Sequence, residues 1–596
     1  MRILPDKYHK AYKLIREDAG QDPVLVFVST AECDSVSALK ILLQIFDSDS
    51  ICYSVFPVSG YEDLQSKCDK ATAETDGKRA IVLVNCGGTE DVNELLNLKA
   101  EHRVYVIDSH RPLNLANAHA GNEKVLVFTD EAEEREQEYP EAEGASDSDS
   151  DSGMSDSDEE EEEDEEGDEN EPPSQRQRTG EGGERAPPKR ATHRQRRLAR
   201  KEKARARFEY YNRGAYFGKA AGCLMYDIGH QLSKDGGEAL WLAIVSLTDQ
   251  YVHQRVTQER YTAGVFELEQ RVNALNSSTG EGESTVQLEG GAEVKLDEHM
   301  RIKAEEEFRF MLLRHWSLYE AMLHSPYIAA VLRTWKDAGR KNLELLLAKI
   351  GLPLAQCRQK FTHMKPHLKE QMTQKMCDIA PQFGLADIKF WTFRRLHGYK
   401  HHISASDVVY GVTALLEDPE NDDVHASFWR ALSALSYGGW SHLMHGVDLS
   451  MRLQRIIIEQ GGLSLAKKSV ISGNRFRSLN MGESGFSDSH NLLSHPLALC
   501  KLGAFIMDAN RHLGNSSKPT VIVAPSKDAM ALVVGVTSRP RAEDGKGNRF
   551  GLSFRRVAEE ISAEFRHDGF DTAVIEVNKS DVQRFLDKLQ SDLDAC

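Results

Sequence analysis

The first 130 residues of the chain alternate between short apolar runs and segments whose apolar positions recur at helical spacing. Apolar runs of this length between turn residues predict buried strands, and the segments between them predict helices. The predicted strands are 24–29, 51–58, 80–85, 102–109 and 124–129, and the predicted helices are 35–46, 61–71 and 90–98. Strands that alternate with single helices are typical of βαβ units. The pattern therefore predicts an α/β fold whose parallel sheet is covered by helices on both faces.

A mostly helical pattern follows between residues 256 and 480. The segment 276–295 is rich in Ser, Thr, Gly and Glu, which predicts a loop. The segment 342–351 predicts a helix that ends at Gly351. The segment 305–323 predicts a helix whose apolar stripe consists of Phe308, Leu312, Trp316 and Tyr319.

The last hundred residues return to alternating apolar runs and helical segments. The predicted strands there are 520–524, 531–536 and 572–577, and the predicted helices are 553–566 and 580–593. This pattern predicts a second, smaller α/β domain at the end of the chain.

Charge is concentrated in two adjacent segments of the 596-residue chain, whose net charge is −19. Residues 131–171 carry a net charge of −22, and residues 172–207 carry a net charge of +10. Dense like charge with few apolar groups cannot bury a core, so most of 131–207 is expected to be disordered. The basic stretch from residue 194 onward is expected to form a helix that leads back into the fold.

Together these patterns predict five segments. They are 1–130, the first part of an α/β domain; 131–193, a disordered acidic and then basic linker; 194–255, a basic helix and the completion of the first domain; 256–483, a helical interaction region; and 484–596, a C-terminal α/β domain.

Composition excludes several classes of protein. The nine cysteines form no Cys-x-x-Cys pair and no Cys/His cluster, which argues against structural zinc and against a disulfide scaffold. No apolar run reaches the roughly 18 residues of a membrane helix, and the first ten residues lack a signal-peptide core. A soluble intracellular protein without membrane association is expected. No Walker-type phosphate loop is present and no cofactor is expected, so energy for any motor work must come from a partner.

Acidic side chains and a histidine follow two of the predicted strands. Glu32 and Asp34 come after the first strand, and Asp108 and His110 end the fourth. The carboxyl ends of parallel strands border the ligand crevice of such sheets, where carboxylates and imidazoles can hold the two cations of phosphoester hydrolysis. The alternative is that Asp34, just before an apolar helix, is the N-cap of that helix.

Nine segments spread along the chain carry a resemblance to a known family. They are ECDSVSALKIL (32–42), FPVSGYEDL (56–64), LVNCGG (83–88), VIDSHRPLN (106–114), AIVSLTDQYV (243–252), RHWSLYEAM (314–322), GLPLAQCRQKF (351–361), ISASDVVYG (403–411) and NRFGLSFRRVAEE (548–560). They resemble the motifs of the cell division control protein 45 family, which is related to the DHH phosphoesterases and their bacterial single-strand exonucleases. The resemblance implies a DHH-type parallel-sheet domain, an all-helical insertion and a small C-terminal α/β domain of the DHHA1 type.

Carried over residue by residue, the resemblance implies a degenerate catalytic site and no enzyme activity. The Asp-x-Asp motif of the enzymes reads Glu32-Cys33-Asp34, their second acid is replaced by Asn85, and Asp-His-His reads Asp108-Ser109-His110. Only Asp249, where the fourth motif of the enzymes has an acid, is fully retained. A neutral Asn and a missing imidazole leave fewer ligands for two cations, so no metal is expected. Two alternatives stay open: one weakly bound cation, or polar residues that hydrogen-bond each other at the sheet edge.

Other candidate residues lie outside this cluster. A cluster of basic residues near the C-terminus, in place of the Gly-Gly-His signature of the enzymes, is a candidate for nonspecific contact with DNA phosphates: Lys546, Arg549, Arg555 and Arg556. The alternative is solvated surface. The basic arm is a candidate nuclear-import signal, or a counter-charge for the acidic tract, through Lys189, Arg190, Arg194, Arg196, Arg197, Arg200 and Lys201. Serines followed by acids are candidate phosphorylation sites: Ser146, Ser148, Ser150, Ser152, Ser155 and Ser157.

The resemblance implies a nuclear factor of DNA replication initiation and elongation. It implies a non-catalytic subunit of the replicative helicase, with the MCM ring, the GINS complex, other initiation factors, origin chromatin and single-stranded DNA as partners. The helical region 256–480 is the candidate for the main partner surface. The alternatives are an active DHH-type exonuclease or phosphoesterase, and an acidic chaperone of basic nuclear proteins that acts through residues 131–171.

Overall fold

The computed structural model describes residues 1–20, 22–73, 79–99, 101–130, 139–141, 189–278, 285–287, 293–295, 302–397, 401–421, 423–482, 491–540 and 547–595. The described parts of Met1–Glu138 and Asn212–Cys596 form one unit, and those of Tyr139–Tyr211 form a second. In the second unit a long basic helix carries Lys203, whose ammonium lies 2.5 Å from the Glu141 carboxylate. The rings of Tyr139 and Tyr210 also pack against each other there.

The strands, in chain order, are β1 Arg2–Ile3, β2 Val24–Ser29, β3 Tyr53–Val58, β4 Ala80–Val84, β5 Arg103–Ile107, β6 His110–Arg111, β7 Val125–Phe128, β8 Tyr216–Phe217, β9 Thr285–Gln287, β10 Glu293–Lys295, β11 Ile302–Phe308, β12 Lys389–His397, β13 His401–Ser404, β14 Ile471–Ser472, β15 Arg477–Asn480, β16 Thr520–Pro525, β17 Met530–Val536, β18 Phe565–Arg566 and β19 Val574–Asn578. The helices are α1 Tyr8–Ala19, α2 Cys33–Ser48, α3 Tyr61–Ala73, α4 Val92–Leu95, α5 Leu115–Ala118, α6 Lys189–Asn212, α7 Ala221–Gln231, α8 Gly237–Val252, α9 Gln258–Ser278, α10 Leu318–Leu323, α11 Pro326–Leu332, α12 Asp337–Ile350, α13 Leu354–Cys357, α14 Pro366–Ile379, α15 Ala405–Leu416, α16 Val424–Ala434, α17 Trp440–Ala466, α18 Pro496–His512, α19 Phe550–Glu560 and α20 Val582–Ala595.

The N-terminal sheet has six parallel strands in the order β1-β7-β5-β4-β2-β3. Every residue of β2 and β4 is buried, so both faces of the sheet centre are covered, as the continuous apolar runs predict. Helix α2 packs against α7 and α8, and these helices share one core with the strands. The α/β prediction is confirmed. The predicted helix 90–98 is reduced to the single turn α4.

The strand order defines where a ligand crevice lies. The chain runs from β2 to its neighbour β3 and then crosses to β4 on the other side of β2. In open parallel sheets the crevice lies beyond the strand ends at such a switch point. Here it lies between the ends of β2 and β4, with β5 beside β4.

The middle region is helical only in part, which corrects the all-helical expectation for 256–483. A three-stranded antiparallel sheet, β11-β12-β13, crosses it, and the hairpin β9-β10 lies within the predicted loop 276–295. The helix predicted over 305–323 is wrong in its first part, because β11 pairs with β12 over seven residues and Leu312 has a φ of 53°. Its last part is helical and forms α10. The residues of β12 that pair with β11 lie 81 to 93 residues further along the chain, so local spacing carries no sign of the pairing. The helix predicted to end at Gly351 is confirmed by α12, with φ 87° at the glycine.

The C-terminal sheet has the order β14-β15-β16-β17-β19-β18. The predicted boundary between residues 483 and 484 needs correction, because β14 and β15 precede it and β15 pairs in parallel with β16. A parallel pair needs a crossover connection, and helix α18 lies in that connection. Among the described residues, no helix has both the length and the apolar character that crossing a bilayer requires.

Candidate functional site

The polar residues that follow the predicted strands meet at one edge of the N-terminal sheet. Glu32 and Asp34 follow β2, Asn85 follows β4, and Asp108 and His110 follow β5. These strands are neighbours, so their carboxyl ends bring the five side chains together, and all five are buried. The structure therefore brings together the strand-end residues that the sequence singles out.

Asp34 does not cap its own helix, which corrects the N-cap alternative. The N-cap position of α2 is Glu32, and Asp34 lies in the first turn of that helix. The Asp34 carboxylate instead accepts hydrogen bonds of 2.8 and 2.9 Å from the backbone N–H groups of Ala221 and Gly222, which begin α7. A carboxylate at a helix N-terminus satisfies unpaired donors and complements the helix dipole. The residue therefore joins α7 to the sheet edge.

Gly222 allows this close approach. A Cβ atom at position 222 would lie 2.0 Å from the Ser246 hydroxyl oxygen and 3.5 Å from a carboxylate oxygen of Asp34. A side chain there would push α7 away from α8, which carries Ser246, and would lengthen the hydrogen bonds to Asp34.

Asn85 fills the centre of the cluster with an amide. Its side-chain NH₂ donates to the Asp34 carboxylate at 3.0 Å, to the Ser35 hydroxyl at 3.1 Å and to Glu32 at 3.4 Å. Its side-chain oxygen accepts from the Ser109 backbone N–H at 2.9 Å. The φ of Asn85 is 50°, a left-handed conformation that Asn tolerates better than most residues. Both the NH₂ group and the oxygen of the Asn85 side chain therefore form hydrogen bonds within the protein.

His110 bridges two carboxylates. Its Nδ1 lies 2.7 Å from an Asp108 oxygen and its Nε2 lies 3.4 Å from a Glu32 oxygen. The second oxygen of Asp108 accepts from the Gly88 backbone N–H at 2.8 Å. With an acceptor at each ring nitrogen, the imidazole is held as a doubly protonated cation.

A guanidinium completes the cluster. One nitrogen of Arg255 lies 2.8 Å from Glu32, and another lies 3.4 Å from Asp249, which α8 carries near its C-terminus. The guanidinium also stacks 4.5 Å from the centre of the Phe217 ring. Arg255 was not among the predicted site residues, because a single arginine in a loop has no pattern of its own. The only available sign was its place six residues after the acid at position 249.

The contacts within the acid cluster favour the alternative in which its polar groups hydrogen-bond each other. Among the described residues, no group of three or more His, Cys, Asp or Glu side chains is arranged so that it could hold a metal ion. The amide of Asn85 points donors at two of the acids, and Arg255 occupies the space between Glu32 and Asp249. The residues present therefore do not fit a two-cation centre, and the polar groups bind each other.

The pKa values of the cluster follow from burial and these partners. Burial alone would raise the pKa of Glu32, but Arg255 and then His110 bring it down to about 2. Burial alone would lower the pKa of His110, but Glu32 and Asp108 outweigh it and raise this pKa well above its ordinary value. Burial raises the pKa of Asp34 to about 6, against hydrogen bonds from Asn85 and Gly222. The cluster carries two internal cations at neutral pH.

The raised pKa of His110 predicts a pH dependence of stability. A group whose pKa is higher in the folded state contributes fully below its unfolded pKa, and this contribution is lost as pH rises through the folded pKa. The difference in free energy of unfolding between the wild type and His110→Gln is therefore expected to shrink as pH rises above about 6.5. Urea unfolding at a series of pH values measures it, with exposed His363→Gln as the control. A difference that grows with pH would contradict this account of His110.

The family to which the chain belongs follows from its match to a protein-family model. The model described as CDC45 matches residues 24–592, nearly the whole chain. The chain belongs to the CDC45 family. The Cell division control protein 45 homolog of Schizosaccharomyces pombe is 33% identical over 641 aligned residues, which cover 99% of each chain.

One solved structure of this family has the same fold. The crystal structure of CDC45 from Entamoeba histolytica superposes with a TM-score of 0.69 and 19% identity, covering 99% of each chain. The structure of exonuclease RecJ bound to manganese matches with a TM-score of 0.42 and 12% identity, over 98% of this chain and 94% of that one. The CDC45 resemblance seen in the sequence is confirmed.

In this CDC45-family chain the candidate DNA-contacting residues have partners within the protein. Arg549 donates to the backbone oxygen of Asn212 at 2.9 Å. Arg555 and Arg556 lie on the exposed side of α19, where they pair with Glu559 at 3.1 Å and Asp592 at 3.0 Å. The pair of Arg555 with Glu559 is exposed on both sides, so it is weak and exchanges readily with phosphates. DNA contact at these residues stays a prediction. Lys546 lies outside the described residues.

The candidate import signal and phosphorylation sites also stay predictions for this CDC45-family chain. The basic residues of the import candidate, from Lys189 to Lys201, all lie in α6, where Arg200 and Lys201 are exposed. The candidate phosphorylation sites, from Ser146 to Ser157, lie outside the described residues.

Proposed function

We propose that this protein is a non-catalytic DNA-replication factor, a subunit of the replicative helicase that joins the MCM ring and the GINS complex. It loads at replication origins with other initiation factors and travels with the fork in the nucleus. Membership of the CDC45 family supports the role in replication. The observation that supports the absence of catalysis is the Arg255 guanidinium, 2.8 Å from Glu32 and 3.4 Å from Asp249. A catalytic cation would need those carboxylates for itself.

In this proposal the protein binds the MCM ring and the GINS complex and holds them together, and it does not cleave DNA. Region 256–480 is the proposed main surface for the MCM ring and GINS. Large apolar side chains there are 44–62% exposed, namely Phe266, Leu345, Trp391 and Trp429. Exposed aromatic and aliphatic groups of this size are common at the centres of protein interfaces. The groove between the ends of the N-terminal strands and the C-terminal sheet is the proposed site that guards single-stranded DNA without cutting it.

Entry to the nucleus is assigned to the basic helix α6, and regulation to phosphorylation of the serines in the acidic tract. Each phosphate adds a charge of about −1.5 to −2 to a tract that is already strongly negative. Added negative charge strengthens attraction to basic partners and repels DNA.

The test incubates the full chain with end-labelled single-stranded DNA and Mn²⁺ and follows retention and length of the DNA in the same sample. We expect retained, intact DNA with the wild type. The same result is expected with the double variant Asp34→Asn and Asp108→Asn, which keeps the side-chain shapes of the cluster. Progressive shortening that the double variant loses would overturn the proposal and restore the exonuclease alternative.

A second experiment distinguishes the helicase role from the role as an acidic chaperone. We expect the wild type and a variant lacking residues 131–171 to co-elute equally with purified MCM ring and GINS. Loss of co-elution in the deletion variant would assign binding to the acidic tract, as the chaperone alternative requires.

A further inference from the structure

Arg395, on β12 in the middle region, has no anionic partner within the described chain. Its side chain is partly buried, and its guanidinium lies over the Trp241 ring of α8, 4.7 Å from the ring centre. No hydrogen bond or ion pair to another described residue involves this guanidinium. Arginine side chains inside proteins are almost always paired. Contact with a ring leaves the N–H donors of Arg395 available for an anion.

A second cation lies close to Arg395. The ammonium of Lys40, on α2, donates to the Ser436 hydroxyl at 2.7 Å and lies 3.4 Å from the Glu238 carboxylate. Burial lowers the pKa of Arg395 to about 10, and Glu238 offsets only part of this shift. Burial also lowers the pKa of Lys40, while Glu238 opposes this shift and Arg395 adds to it. The two cations therefore lie near each other and near the same acid, and we call these four residues the Arg395 site.

The Arg395 site is separate from the acid cluster. Glu238 and Trp241 lie in the first two turns of α8, whereas Asp249 of the acid cluster lies near the C-terminus of this helix. At about 1.5 Å per residue, these positions are roughly 12 Å or more apart along the helix axis. The indole N–H of Trp241 is also buried without a hydrogen-bond partner among the residues described. Unpaired polar groups of this kind cost free energy and are rare in folded proteins.

Aromatic side chains border the Arg395 site. Burial and then Arg395 lower the pKa of His397, so this neighbouring imidazole adds no charge at neutral pH. Its ring packs 4.7 Å from the ring of Trp440 and 5.3 Å from that of Tyr437, which is 56% exposed. The positive charge is therefore compact. It suits a single carboxylate better than a nucleic-acid backbone, which binds through a row of phosphate contacts.

We propose that the Arg395 site binds an acidic side chain, and that the acidic tract 131–171 of the same chain supplies it. A carboxylate accepts parallel hydrogen bonds from a guanidinium, which gives Arg395 the partner that it lacks. The tract carries a net charge of −22, so it presents a carboxylate in almost any register. While the tract is docked, its acids are withheld from basic partners.

The tether between the tract and the fold favours this occupant over a segment of another protein. The tract follows directly after residue 130, the last described residue beyond β7. Roughly ten residues of extended chain span about 35 Å, so the length of the tract allows it to reach the Arg395 site. Tethering of this kind gives a local concentration on the order of millimolar, which makes even a weak contact well populated.

The experiment follows the fluorescence anisotropy of a labelled synthetic peptide of residues 144–160, added to the full chain and to the variant lacking residues 131–171. We expect the deletion variant to bind the peptide at least about tenfold more tightly, because the tethered tract no longer occupies the site. In the deletion variant, Arg395→Met should weaken binding by about tenfold. Glu238→Gln should strengthen it by about twofold to fivefold, because a competing carboxylate is removed.

The matched control is Arg584→Met, at an arginine of α20 whose side chain is 66% exposed. It should bind the peptide like the unsubstituted deletion variant. Arg395→Met keeps an apolar side chain on the Trp241 ring and removes an unpaired cation, so its melting temperature should not fall. If it does not fold, Arg395→Lys takes its place. That variant keeps the charge but loses the planar fork, so it should weaken binding by about threefold or more.

Two results would overturn the inference in different ways. Equal binding by Arg395→Met and Arg584→Met would overturn the site and assign the tract to the basic stretch 172–207, where the loss of one arginine among many changes little. Binding that depends on Arg395 but is equally tight in the full chain and the deletion variant would overturn the tract as occupant and assign the site to an acidic segment of another protein. Neither result bears on the helicase role, which co-elution with the MCM ring and GINS tests separately.

Discussion

Arg255→Met is expected to lower the free energy of unfolding by about 3–5 kcal/mol, the largest effect of any single change in the acid cluster. The substitution keeps an apolar side chain on the Phe217 ring but removes the guanidinium. Glu32 and Asp249, which are 2% and 1% exposed as side chains, would then lose the ion pairs that they make at 2.8 and 3.4 Å. Buried charges without a partner are costly because neither water nor protein solvates them. Chemical denaturation of the full chain measures the loss.

The pH dependence of this loss separates lost charge pairing from lost packing. Arg255 is the main partner that brings the pKa of Glu32 down to about 2. Without it the pKa of Glu32 rises, so Glu32 takes up a proton in the folded variant at mildly acidic pH. The difference between the wild type and Arg255→Met should therefore narrow as pH falls from about 7 to 5. Arg452→Met, which breaks an exposed pair with Glu420, should change stability by less than about 0.5 kcal/mol. An equally small change in Arg255→Met would show that the guanidinium does not hold the cluster together.

Asn85→Asp would place a further carboxylate at the centre of the acid cluster, and we expect it to lower the free energy of unfolding by about 2–4 kcal/mol. The new carboxylate would replace an NH₂ group that donates to Asp34, Ser35 and Glu32. Its oxygen would face two carboxylates, while Arg255 and His110 are already engaged. The same denaturation experiment at neutral pH measures the loss, which should shrink as pH falls toward about 4 and the acids take up protons.

The matched control for this charge change is Asn114→Asp. The Asn114 side chain caps α5 by accepting from the Ala116 backbone N–H, and Asp serves equally well as an N-cap, so a change of less than about 0.5 kcal/mol is expected. An Asn85→Asp variant as stable as the wild type, or one that Mn²⁺ stabilises, would contradict the conclusion that the cluster does not fit cations.

The N-terminal sheet could be predicted from sequence because its strands are buried on both faces. Such strands appear as continuous apolar runs, and β2 and β4 match the predicted runs to within one residue. Strand β11 lacks this signal. Its sequence IKAEEEF is half exposed, and its stability comes from pairing with β12 and from ion pairs of Glu305 and Glu307 with Arg314. Contacts of that kind produce no periodic pattern in the sequence, so the pattern incorrectly predicts the start of a helix at this segment.

In the acid cluster, too, some features could be predicted from the sequence and others could not. Its acids, Asn85 and His110 could be placed from sequence because they follow strands that end at one edge of the sheet. The contacts that each side chain makes there could not be predicted from the sequence. Asp34 was expected either to bind a cation or to cap α2, and it instead caps α7, which begins 187 residues later in the chain. The helix it caps was not recognisable as a neighbour from local spacing.

By itself the sequence determined the α/β class, the position of the polar cluster and the family, because strand periodicity, strand-end residues and motif order are all properties of neighbouring positions. The tertiary structure alone decided that Arg255 and His110 supply the charges that balance the acids, and that Asp34 caps α7. These facts depend on which side chains meet across distant parts of the chain. The free energy of a buried charge is set by what surrounds it in space, and sequence spacing does not report those surroundings.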